Sequence, residues 1–137
     1  MIEQILLIIG AAIFGVLGVL HFYYTFFTDK FMTRDRKVAE AMKGTSPLLT
    51  KQTSVWNAWM GFNGSHSLGA IFIAVFYILL AVTHMDVIRE TRAFILLAVL
   101  IGLSYLVLAI KYWFRIPMIG ILIATLCFIV SAILIFT

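Results

Sequence analysis

The chain reads as an all-α integral membrane protein, a four-transmembrane-helix bundle with a short amphipathic helix on the cytoplasmic side between the first and second spans. Three observations carry that reading. Its 137 residues are 64% hydrophobic with a mean hydropathy of +1.11, too apolar for a soluble domain of this size. Only 12% of residues are charged, and all of these but Glu3 are gathered into three places. The four stretches left between them, residues 4–27, 56–83, 93–114 and 117–136, each suffice to cross ~30 Å of hydrocarbon at 1.5 Å per residue. These spans use up most of the chain, so a single membrane domain with no soluble catalytic module is expected.

The first span lacks a basic leader and continues apolar past Gly10, Ala11 and Ala12, so it is expected to be retained rather than cleaved. Phe14, Gly18, His21, Thr25 and Thr28 recur along it at steps of four and three and so share one helical face. Its end is aromatic, from Phe22 through Phe27, as at a membrane–water boundary.

Residues 28–55 form the one sizeable aqueous segment, a basic loop with Lys30, Arg34, Arg36, Lys37, Lys43 and Lys51. Within it Arg34 to Lys43 reads as a short helix, capped at Thr33 and stopped at Gly44, with Val38, Ala41 and Met42 on one face. Two readings stand for it: a helix lying on anionic headgroups, or a solvated connector. Ser46-Pro47 then breaks the pattern.

The second span opens with more polar side chains than lipid tolerates, and these must face protein, water or a ligand. On a helix Trp56, Trp59, Asn63, His66 and Ala70 share a face, while Gly61, Ser65 and Gly69 repeat every fourth residue, the small-xxx-small pattern of close helix packing. The second connection, Asp86 to Arg92, is short, and His84 beside it is expected to be solvated. On the third and fourth spans Ser104, Tyr105 and Thr125 read as helix-packing groups. The fourth span is expected to begin at Pro117, where a missing N–H costs nothing. The lone Cys127 lies inside it, so no intrachain disulfide can form.

Lys and Arg number eight in and beside the first and third connections against two in the second. The positive-inside rule then puts the basic loop in the cytoplasm and both termini outside. Trp56, Trp59 and Trp113 all fall at that same boundary. No Asp or Glu lies inside any span, which disfavours a proton-coupled four-helix exporter. The positive balance reflects topology rather than nucleic-acid binding, since no folded basic domain is present.

The chemistry-bearing candidates are His21 and His66. Counting inward from Thr28 and Trp56 sets His21 level with Asn63 and His66 near Gly18, roughly 5 Å apart in depth. His21, Thr25, Trp59, Asn63, His66 and Ser67 are the expected ligand-facing set, and Gly61, Ser65 and Gly69 the helix-packing set. Three roles remain open: hydrogen bonding that only holds helices together, a bound small molecule, and acid–base chemistry on a lipid or quinone head. Haem would need the imidazoles opposed across one iron, with room from Gly18, Gly64 and Gly69. Zinc wants three or four ligands where two histidines are on hand.

The block Trp56-x-x-Trp59-x-Gly61-Phe62-Asn63-x-Ser65-His66-x-x-Gly69, behind an aromatic-flanked His21 and a basic loop, resembles a family of short uncharacterised bacterial membrane proteins with four predicted spans. The resemblance implies a four-helix fold in a bacterial inner membrane and brings no ligand with it. The functional expectation is a non-enzymatic membrane protein that binds a lipid-like small molecule or a partner helix, as an accessory subunit of a complex or with a second copy of itself. The alternative is an enzyme or redox protein using His21 and His66 on a lipid, quinone or haem.

Overall fold

The computed structural model describes residues 1–137 and is all-helical. Six α-helices follow one another: α1 (Ile2–Phe26), α2 (Arg36–Gly44), α3 (Val55–Thr83), α4 (Met85–Glu90), α5 (Ala93–Tyr112) and α6 (Arg115–Phe136). Four of them, α1, α3, α5 and α6, are long and apolar enough to cross a membrane. Large apolar side chains stay exposed along all four, among them Val16, Leu79, Leu100 and Ile123, an arrangement stable only against lipid.

The chain divides into two compact units, one of residues 1–17 and 70–137, the other of residues 18–69. The first is the four-helix bundle. Its core is layered from small and large residues: Ala11, Ala74, Ala98 and Ala124 let backbones approach, and Leu7, Phe14, Tyr77, Ile95 and Phe128 fill what remains. Phe14 stacks on Phe128 at 5.8 Å and meets Tyr105 edge-on at 5.1 Å. At Gly10 a Cβ would lie 2.5 Å from the Phe128 ring and 3.0 Å from the Ala124 carbonyl oxygen. At Gly102 one would lie 2.9 Å from the Thr125 hydroxyl. These are the positions where helices of this unit touch too closely for any side chain.

Polar groups in the bundle are paired, as lipid demands. Tyr77 Oη donates to the Phe94 carbonyl at 2.9 Å, Gln4 Nε2 to Ala81 O at 2.8 Å and Ser131 Oγ to Glu3 O at 2.8 Å, while Arg89 pairs with the Glu3 carboxylate. Thr125 is buried and donates to Ile121 O within its own helix, whereas Ser104 is exposed and donates back to Leu100 O.

Three boundaries differ from expectation. The second connection is a helix, α4, because Met85 and Ile88 at i, i+3 are both buried. Six residues flanked by Thr and His carried too little pattern to show it. Helix α6 starts at Arg115, which leaves Pro117 within the first turn, where N–H groups have no helical partner in any case. Helix α2 starts at Arg36 rather than Arg34, because the Asp35 carboxylate accepts from Lys37 N at 2.9 Å and caps it. The Thr33 hydroxyl donates instead to Asp35 O. Its inward residue is Ala39, and Val38 and Ala41 point outward.

The second unit holds the last turns of α1, a 3-10 turn at Asp29–Phe31, α2, a loop and the first half of α3. Thr28 caps the 3-10 turn by accepting from Lys30 N, and Ser54 caps α3 by accepting from Asn57 N. At 25 and 29 residues α1 and α3 run roughly 37 and 43 Å, longer than a ~30 Å hydrocarbon slab.

Candidate functional site

Unit 18–69 gathers the polar residues of α1 and α3. His21 Nε2 lies 3.0 Å from Asn63 Oδ1, and Asn63 Nδ2 donates to the Trp59 carbonyl at 2.8 Å. The second bond decides the first. With its NH2 group committed to a carbonyl, Asn63 can offer only oxygen to His21, so Nε2 of that imidazole carries the proton and Nδ1 holds the lone pair. No buried side-chain nitrogen or oxygen lacks a hydrogen-bond partner, so Nδ1 either has a partner or reaches the surface of the protein.

The His21 ring is held on two further sides. Phe31 meets it edge-on at 4.6 Å and His66 at 5.4 Å. Phe31 is in turn fastened to α3, since its carbonyl accepts from Trp59 Nε1 at 3.3 Å. Phe31 was not among the sequence candidates. It stands alone in a basic loop, and only the 3-10 turn carries it back onto α1.

His21, Asn63 and His66 thus come together, half-buried, with Trp59 exposed at the rim. Thr25 and Ser67 do not join them as ligand-facing groups. They are 3% and 0% exposed, and each hydroxyl donates at 2.7 Å to a carbonyl one turn back, Thr25 to His21 O and Ser67 to Asn63 O. Both hydroxyls are committed within their own helices.

The helix-packing set is also corrected. Gly61 and Ser65 are exposed, and a Cβ at Gly61 would meet nothing within 4 Å, so these two positions pack against no helix of the unit. The close approach falls at Gly64, where a Cβ would sit 2.8 Å from the Phe26 ring. Gly69, the last residue of the stripe, is half-buried.

Haem does not fit this arrangement. A bis-imidazole iron needs the two rings on opposite faces of a porphyrin, whereas these are in edge-to-face contact, His21 Nε2 is committed to Asn63, and the space at Gly64 is taken by Phe26. No group of three or more His, Cys, Asp or Glu side chains lies close enough together to hold a metal ion. What the cluster offers chemically is an oriented, half-buried imidazole whose Nδ1 is an acceptor, a second imidazole against it, and an aromatic rim. No protein-family model, curated protein or solved structure matches the chain.

Proposed function

We propose that the protein is a non-enzymatic membrane-embedded binder of a lipid-like small molecule, whose polar head donates a hydrogen bond to His21 Nδ1 while its apolar part lies along α1 and α3. The observation that supports this is the Trp59–Asn63–His21 chain of hydrogen bonds, which fixes the imidazole's tautomer and makes Nδ1 of this half-buried ring an acceptor. The setting is a bacterial inner membrane with both termini extracytoplasmic and the cluster toward the cytoplasmic leaflet, a reading that rests on charge distribution and on the resemblance described above. The exposed Gly61 and Ser65 leave a face on which a partner helix of a larger complex, or of a second copy, can lie.

A second reading, acid–base chemistry on a lipid or quinone head, is favoured by one feature: Asn63 orients His21 as an auxiliary residue orients a general base. Mass spectrometry of molecules that co-purify with the parent, with His21→Asn and with His66→Gln distinguishes the possibilities. Loss of one molecule from both folded variants supports binding, and a chemically altered form of it on the parent supports the second reading. The histidine rings touch, so the double variant should depart from additivity in stability by about 0.5 kcal/mol or more. Strict additivity with no molecule lost would leave the cluster as a helix-holding seam.

A further inference from the structure

The loop between α2 and α3 has a feature the histidine cluster does not use and does not depend on. Its ends are tied by Val55 N donating to Thr45 O at 2.9 Å, and its tip is a turn in which Thr50 N donates to Pro47 O. The two central residues of that turn, Leu48 and Leu49, are 109% and 94% exposed, the most exposed leucines of the chain. Beside them lies an open polar cavity of about 260 Å³ lined by Lys43, Thr45, Ser46, Lys51, Thr53 and Ser54 among others, with no carboxylate in its wall. Neither lysine is in an ion pair, since the only side-chain salt bridge of the protein joins Glu3 and Arg89. The Lys43 ammonium lies 5.4 Å from the ring centre of Trp56, at the start of a membrane-crossing helix.

We propose that this loop is a phospholipid-headgroup site: Leu48 and Leu49 enter the boundary between headgroups and acyl chains, and the lipid phosphate sits between Lys43 and Lys51 with the loop hydroxyls as donors. The charge in the cavity is uniformly positive, which selects an anion. Its place at the foot of α3 sets it at headgroup depth, where tryptophan also concentrates. A free anion would account for the lysines but not for two adjacent leucines held fully outside the fold, and a soluble protein partner would account for the leucines but not for an unpaired lysine pair at the bilayer surface. A membrane phospholipid satisfies both.

The test uses the full chain in detergent micelles, titrated with short-chain phosphatidylglycerol, with inorganic phosphate and with the uncharged diacylglycerol of the same chain length, bound lipid being read by native mass spectrometry. The parent should retain phosphatidylglycerol saturably, and inorganic phosphate and diacylglycerol should each bind about tenfold more weakly or less. Lys43→Gln/Lys51→Gln should weaken the lipid by about 30-fold, the value of two cations at a membrane surface. Leu48→Ser/Leu49→Ser should weaken it by about tenfold, with inorganic phosphate unaffected. All four side chains are exposed, so both variants keep the core of the unit. An equal loss in Arg34→Gln/Lys37→Gln, which removes the same charge elsewhere in the loop, would reduce the effect to diffuse electrostatics and overturn the site. Inorganic phosphate binding as tightly as the lipid, or leucine variants indistinguishable from the parent, would overturn the lipid as its occupant.

Discussion

Alanine at Gly10 and alanine at Gly61 should have different effects on stability, although both sit inside long apolar helices. Either change removes glycine's entropic cost in a helix, a gain of about 1 kcal/mol. At Gly61 nothing lies within 4 Å of the new methyl, so the gain stands. At Gly10 the methyl falls 2.5 Å from the Phe128 ring, roughly 1 Å inside a carbon–carbon contact. That ring cannot swing clear: it is 0% exposed and stacked on Phe14, with Tyr77 at 6.3 Å. Nor can the methyl turn toward Ala124, whose carbonyl oxygen is 3.0 Å away. The helices must part, at a cost of about 1 to 3 kcal/mol, leaving Gly10→Ala between about equal to the parent and about 2 kcal/mol less stable. The difference between the two variants is then the overpacking cost itself, about 1 to 3 kcal/mol, readable by equilibrium unfolding in mixed micelles with sodium dodecyl sulfate as denaturant. Variants equal to within about 0.5 kcal/mol would refute the packing argument at Gly10.

Tyr77→Phe should cost about 1 kcal/mol in the same assay, because the half-buried Phe94 carbonyl loses its 2.9 Å side-chain donor while the ring remains; an unchanged midpoint would mean that this bond adds nothing to stability. Gly61→Leu should leave the fold intact, since that face is open, and a collapse of folding would show that the stripe is covered after all. A reporter fused after Thr137 should be active only in its extracytoplasmic form; activity of the cytoplasmic form would reverse the inside–outside assignment and move the histidine cluster to the other leaflet.

The spans were legible because lipid imposes a length and a composition that a window of residues either meets or fails. The neighbourhood of His21 was legible for a related reason: two antiparallel spans share a boundary, so counting inward from Thr28 and Trp56 set His21 beside Asn63. Facing was harder to read. Gly61, Ser65 and Gly69 form a regular small-residue stripe, yet the approach occurs at Gly64, where Phe26 lies over a single glycine, and periodicity alone does not say which of two adjacent stripes meets a neighbour. Thr25 and Ser67 are polar at the right register, but a hydroxyl on a helix can always turn to the carbonyl one turn back, and composition does not reveal that it has. Phe31 was invisible because its place depends on a three-residue turn, and Leu48 and Leu49 because hydrophobic residues in a loop carry no period to read.

The division of the chain bears on the order in which the protein can be made. Every residue of the unit that carries the histidine cluster lies between Gly18 and Gly69, so that unit has all its parts once little more than half the polypeptide has been synthesised. The other unit is closed by Ser131 reaching Glu3 across 128 residues, and the seat of Gly10 against Phe128 is likewise incomplete until the last helix has entered the bilayer. Units assemble as their chain emerges, at about 5 to 20 residues per second, so the nascent protein passes through a stage in which the polar cluster can form while the first helix still offers the bare backbone of Gly10 to lipid. During that interval α1 is held through its C-terminal turns and, further back, by Gly15 beside Ala74 and Gln4 bonded to Ala81 O, with the side that meets α6 uncovered. An insertion defect in α6 should therefore spare the cluster and bare the Gly10 face of α1, the surface that a membrane protease or an assembly factor would meet first.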